Sequence, residues 1–136
     1  MSILTFAGTT PDKPAIIAAE TGDAVDFATL NSTSMRLARV LRNSLDEGAR
    51  VAMLMENVAA AYTAAWACRR AGLRCVPVNW HLSRDEAAYI VSNSDARALI
   101  VSPGLAALAC DLAGLVPNLT MLLVAGEAFD RFASLD

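Results

Sequence analysis

The sequence predicts an α/β chain: an open, mostly parallel, doubly wound sheet with helices on both faces, preceded by an N-terminal β-hairpin. Two observations carry this. Short apolar runs recur at Val51-Ala52-Met53-Leu54-Met55, Cys75-Val76-Pro77-Val78, Ala98-Leu99-Ile100-Val101 and Met121-Leu122-Leu123-Val124, as strands covered on both faces require. Segments of helical spacing separate them, so strand and helix alternate from residue 50 to residue 124.

Residues 1–14 lack periodicity and contain Gly8, Pro11 and Pro14, which predicts an irregular lead-in. Ala15-Ile16-Ile17-Ala18-Ala19 and Ala24-Val25-Asp26-Phe27 flank the turn Glu20-Thr21-Gly22-Asp23 and predict the hairpin. Residues 29–45 place Leu30, Leu37, Ala38, Leu41 and Leu45 at helical spacing, with Arg36, Arg39 and Arg42 on the opposite side. That arginine stripe reads first as a solvated face and second as a surface for an acidic partner.

The strand at 51–55 stops at Glu56-Asn57, and Asn57 is a suitable N-cap for a helix over 58–71. This helix is alanine-rich and apolar nearly all round, which suits close approach to a sheet. Gly72 supplies the left-handed residue that ends it. Arg74-Cys75-Val76-Pro77-Val78 returns as a strand, and Pro77, which cannot donate to a ladder, points to a strand near an edge or just leaving the ladder. Ser83-Arg84-Asp85-Glu86 fits a capping box that starts a helix running to about Asn93. After the strand at 98–101, Ser102-Pro103-Gly104 leads into a helix over 105–115 with Leu105, Leu108, Leu112 and Leu115 on one side. Thr120 to Val124 forms the last predicted strand, and 125–136 reads as a loop with one helical turn.

The chain holds 136 residues, one domain's worth, with no repeats, linkers or low-complexity stretches. A net charge of -3 argues against nucleic acid as the principal partner, since phosphate neutralisation needs a basic surface. No stretch reaches the roughly 18 uninterrupted apolar residues of a transmembrane segment, and residues 1–14 lack a basic start followed by an apolar block and cleavage site, so no secretion signal is expected. Cys68, Cys75 and Cys110 are odd in number and lack CxxC spacing. They fit a reducing compartment, and a cytoplasmic location is expected.

Ligands of doubly wound folds sit outside the carboxyl ends of the strands. Those ends are Glu56-Asn57, Asn79-Trp80-His81, Ser102-Pro103-Gly104 and Ala125-Gly126-Glu127, and none is a glycine-rich phosphate cradle. Gly8 to Lys13 is not one either, because Pro11 and Pro14 stand where free N–H groups are needed. His81 is the only histidine, so neither a catalytic triad nor a metal site has convincing members. Trp80 and His81 read as a packed loop, with the wall of a ligand pocket as the functional alternative.

Several blocks, read together, resemble the amino-terminal part of the acyl-CoA synthetases among the adenylate-forming, AMP-binding enzymes. They are Asp12-Lys13-Pro14-Ala15-Ile16-Ile17, Val25 to Leu30 with Ser34 to Leu41, Gly48 to Asn57, Arg70 to Asn79, Leu82 to Glu86, and Ser94 to Val101. The resemblance implies that residues 1–136 are the N-terminal portion of the AMP-binding domain of a larger enzyme. That enzyme would use ATP and Mg2+ to convert a carboxylic (fatty) acid to an acyl-adenylate, then pass the acyl group to CoA. It also implies that the phosphate loop, the adenylate- and magnesium-holding motif, the ribose-binding aspartate and the carboxyl-terminal lysine lie beyond Asp136. No catalytic, cofactor-binding or metal residue is therefore carried over. Asn57, Gly72, Pro77 and Asn79 match family positions with structural roles. The portion alone is expected to bind no cofactor and to be inactive, with some self-association through uncovered surfaces. A non-catalytic α/β interaction module and a fragment of a peptide-synthetase adenylation domain are the alternatives.

Overall fold

A computed structural model of the chain describes residues 2–126 and 132–134. The elements are α1 (Ile3–Thr9), β1 (Pro14–Ile17), β2 (Ala24–Asp26), α2 (Phe27–Ser44), β3 (Arg50–Leu54), α3 (Ala59–Ala71) and β4 (Arg74–Val78), then α4 (Arg84–Asn93), β5 (Ala96–Val101), α5 (Ala106–Leu115), β6 (Met121–Ala125) and β7 (Phe132–Ser134). β1 and β2 form a separate antiparallel pair, and the main sheet has the order β4-β3-β5-β6-β7. β4, β3, β5 and β6 run parallel, and β7 joins antiparallel to β6.

Alternation along each strand sends side chains to two cores. Val51, Met53, Ile100 and Leu123 pack with Leu37 and Leu41 of α2 and with Ala60, Ala64, Ala67 and Cys68 of α3. Ala52, Leu54, Leu99 and Val101 pack with Ala87 and Val91 of α4 and with Ala109 and Leu112 of α5. The sheet is therefore doubly wound. The connection from β3 to β4 passes one face through α3, while those from β4 to β5 and β5 to β6 move the other way across the opposite face. Reversing both direction and face keeps all three crossovers of one hand.

Most boundaries follow the local signals. Gly72 ends α3 at φ 73, in the left-handed region. Ser83 and Glu86 form both bonds of the capping box. β4 is an edge strand, where Pro77 sits in register with Met53. Asp26 caps α2 by accepting from the Thr29 N–H at 2.7 Å.

Four expectations are corrected. The lead-in is not irregular: residues 3–9 are helical, because Ile3 buries its side chain and Phe6 stacks on Phe27 with ring centroids 4.9 Å apart. Tertiary packing supplies what periodicity over so short a stretch lacks. Asn57 is not the N-cap of α3. A tight turn in which the Val58 N–H donates to the Glu56 carbonyl shifts the start by one residue, leaving Val58 at the cap without a side-chain bond and Asn57 exposed. Of the leucines expected on one side of α5, Leu112 is buried and Leu105 and Leu108 pack against the same core, but Leu115 is half exposed and Val116, just past the helix, is buried instead. The expected tail of loop and helical turn contains strand β7 at 132–134, paired to β6, while 127–131 lie outside the described residues.

Candidate functional site

The direction reversal falls between β3 and β5, so the crevice at their carboxyl ends is the place where such a sheet can take a ligand. Glu56 follows β3 and Ser102 follows β5. The fully buried Ser102 hydroxyl donates to Glu56 Oε2, joining residues 46 apart in sequence across the mouth of the crevice. Gly104 lies beside the same carboxylate, whose Oε1 would be 3.7 Å from a Cβ placed there. The crevice is thus closed by a carboxylate already bonded within the protein. A phosphate entering it would meet a like charge and would have to break that bond.

At the carboxyl end of edge strand β4, Asn79 Oδ1 accepts from the His81 N–H at 2.9 Å, an Asx turn that reverses the chain toward α4. The turn brings the Trp80 and His81 rings together, with centroids 3.7 Å apart. Both are exposed, Trp80 at 38%. The sequence-derived positions therefore separate. Asn79, Trp80 and His81 form one cluster, Asn57 lies on the neighbouring strand end, Gly72 lies at the opposite end of the sheet, and Pro77 stands in β4.

Three residues of the crevice, Glu56, Ser102 and Gly104, were not singled out by sequence reasoning as a unit. A usable signal existed in the polar residue that follows each apolar strand run. What it lacked was the strand order that makes β3 and β5 neighbours.

Asp26, Glu86 and Cys68 are shifted by bonds within the fold. The Thr29 backbone N–H holds Asp26 below the usual carboxylate range, and the Ser83 backbone N–H with its hydroxyl does the same for Glu86. A hydrogen bond with Cys75, reinforced by burial, pushes the Cys68 thiol up, so it is a poor nucleophile. Among the described residues no group of three or more His, Cys, Asp or Glu side chains could hold a metal ion. No helix among them is long and apolar enough to cross a membrane. The residues present do not fit a nucleotide triphosphate or its magnesium. Among the described residues the crevice has no glycine-rich loop, and Glu56 is already bonded to Ser102.

The model of the AMP-binding enzyme family matches residues 4–133. Among curated proteins, a fatty acid–[acyl-carrier-protein] ligase from Streptomyces coeruleorubidus is 32% identical over 92 residues, covering 67% of this chain and 17% of that protein. A mitochondrial acyl-coenzyme A synthetase from Rattus norvegicus is 32% identical over 118 residues, covering 83% of this chain and 20% of that protein. The chain thus spans about a fifth of the length of these relatives. Among solved structures, ATP-bound MatB from Rhodopseudomonas palustris has a TM-score of 0.74 at 27% identity, over 97% of this chain and 27% of that one. A fatty acyl CoA synthetase from Mycobacterium tuberculosis, with a TM-score of 0.78 at 24% identity over 90% of this chain and 25% of that one, shares the fold. With that match running almost from end to end of a doubly wound sheet, the chain belongs to the AMP-binding enzyme family.

Proposed function

We propose that residues 1–136 are the N-terminal portion of the adenylation domain of an acyl-CoA synthetase and serve there as scaffold. The observation that carries this reading is the agreement of the two curated relatives, each a ligase acting on an acyl substrate at 32% identity. In the complete enzyme a carboxylic (fatty) acid is activated with ATP and Mg2+ and handed to CoA. Activation gives an unreactive carboxylate a good leaving group, AMP, which a thiol can displace.

The groups that grip ATP, Mg2+ and CoA are supplied by polypeptide outside this portion, and the closed Glu56–Ser102 crevice supports that division of labour. The exposed Trp80–His81 pair is a pocket wall completed by the rest of the enzyme. Exposed Leu4, Ile17 and Tyr62 are surfaces for the same purpose, and in isolated copies they promote self-association. A cytoplasmic setting agrees with free cysteines at 68, 75 and 110.

An ATP-dependent hydroxamate assay with a panel of fatty acids tests this reading. The 136-residue chain is expected to give no turnover, and turnover by it refutes the scaffold role. Because one relative is a carrier-protein ligase, a second reading has a carrier-bound thiol as the acceptor. Substrate-dependent pyrophosphate exchange by the complete enzyme, followed by acyl transfer to CoA or to a carrier protein, separates the two.

A further inference from the structure

The arginine stripe of α2 has a counterpart that only the fold reveals. Arg42, in the last turn of α2, and Arg70, in the last turn of α3, come together beside Arg39 around a cavity of about 170 Å3 floored by Met35 and Ala38. The cavity lies at the amino end of the sheet, since α2 feeds β3 and α3 feeds β4. There the turn after α3 is bonded to the loop before β3, Gly48 N–H to the Gly72 carbonyl and Arg74 N–H to the Ala49 carbonyl, each at 2.9 Å. This is the end of the sheet opposite to the closed crevice.

Two of the three guanidiniums are held without being neutralised. Arg42 Nη2 donates to the Arg70 carbonyl at 2.7 Å, and Arg70 Nη2 donates to Asn31 Oδ1, both neutral acceptors. Arg39 has no partner among the described residues, and no carboxylate among them pairs with any of the three. Each guanidinium carries five N–H donors, so most remain available. The bond from Arg42 also satisfies a last-turn carbonyl of α3 that would otherwise oppose an anion. In a chain of net charge -3, three uncompensated positive charges around one hollow stand out from the rest of the surface.

We propose that this hollow is an oxyanion site for a phosphate group, either inorganic phosphate or a phosphomonoester. Planar guanidiniums match phosphate oxygens geometrically, and two of the three are already fixed in place by their neutral acceptors. The volume admits a phosphate group, and Met35 and Ala38 give the hollow an apolar floor. The site is independent of the scaffold reading, since it uses neither the crevice nor the carboxyl ends of the strands.

The test is a titration of the 15N-labelled chain, at low ionic strength, with inorganic phosphate, methyl phosphate and acetate. Saturable shifts are expected along residues 35–42 and at Arg70 with both phosphates and not with acetate. Equal affinities mean that an ester is tolerated, whereas saturation by inorganic phosphate alone restricts the site to the free ion. Both results keep the site. Arg39→Gln, a change at an exposed and unpartnered side chain, is expected to weaken binding about tenfold, the scale of one charge-assisted contact. Arg39→Lys is expected to recover part of it. Arg84→Gln, on the opposite face and paired with Asp85 at 3.1 Å, should change nothing. Shifts that do not saturate, that acetate reproduces, or that survive Arg39→Gln undiminished overturn the proposal.

Discussion

The two faces of the sheet solve the same packing problem with different side chains. On the face covered by α2 and α3, α3 buries only small residues: Ala60, Thr63, Ala64, Ala67, Cys68 and Ala71. On the face covered by α4 and α5 the buried helical positions include Val91 and Leu112, with Val116 closing the end. A helix of alanines lies close to the strands and leaves no room to grow, whereas a helix that inserts branched side chains stands off and depends on their volume. Under α3 the first face should therefore be sensitive to added atoms, whereas the positions of Val91 and Leu112 on the second should be sensitive to removed ones.

Leu112→Ala attacks the second face at a fully buried branched residue and is expected to cost about 2–5 kcal/mol in urea unfolding, from lost burial and the cavity left behind. Ala64→Leu attacks the first face in the opposite sense. Its cost is expected to be about 1–3 kcal/mol, because α3 must shift or strain. If instead Ala64→Leu were neutral, the close-approach account of that face would be wrong.

Ser102→Ala probes the seam where the two sets of connections diverge. Losing the bond to the half-buried Glu56 is expected to lower stability by about 1–2 kcal/mol, less than the core changes because the carboxylate can turn toward water.

The smallest effect concerns the caps, one for each face. Asp26 on α2 and Glu86 on α4 both have depressed folded-state values, so their contribution is present above the ordinary carboxylate range, about pH 4. It is lost as pH falls through the folded values. Asp26→Ala and Glu86→Ala are each expected to lower the melting temperature modestly at neutral pH, with the difference from wild type vanishing in acid. A single transition in both variants would show that the two faces unfold together, and two transitions would show that they do not.

Much of this was legible beforehand because its causes are local. Gly72 ends a helix wherever a left-handed residue is needed, Ser83 and Glu86 satisfy each other's backbone within four residues, and the apolar runs at 51–55 and 98–101 carry their own period. Pro77 pointed to an edge or an exit from the ladder, and β4 is an edge strand. The failures were of another kind. Residues 3–9 become helical through the contact of Phe6 with Phe27, and α5 leaves Leu115 half exposed while Val116 just past its end is buried. Asn57 lost its capping role to a turn set by Glu56 and Val58.

The sequence by itself determined the alternation of strand and helix, the stops and most of the starts, because these rest on residues a few positions apart that interact within one element. Strand order, and with it the Glu56–Ser102 bond and the meeting of Arg42 with Arg70, was decided only in three dimensions. Those pairs are 46 and 28 residues apart. Neither partner has a local signal for the other, and it is the packing of two helical layers on one sheet that brings them within bonding distance.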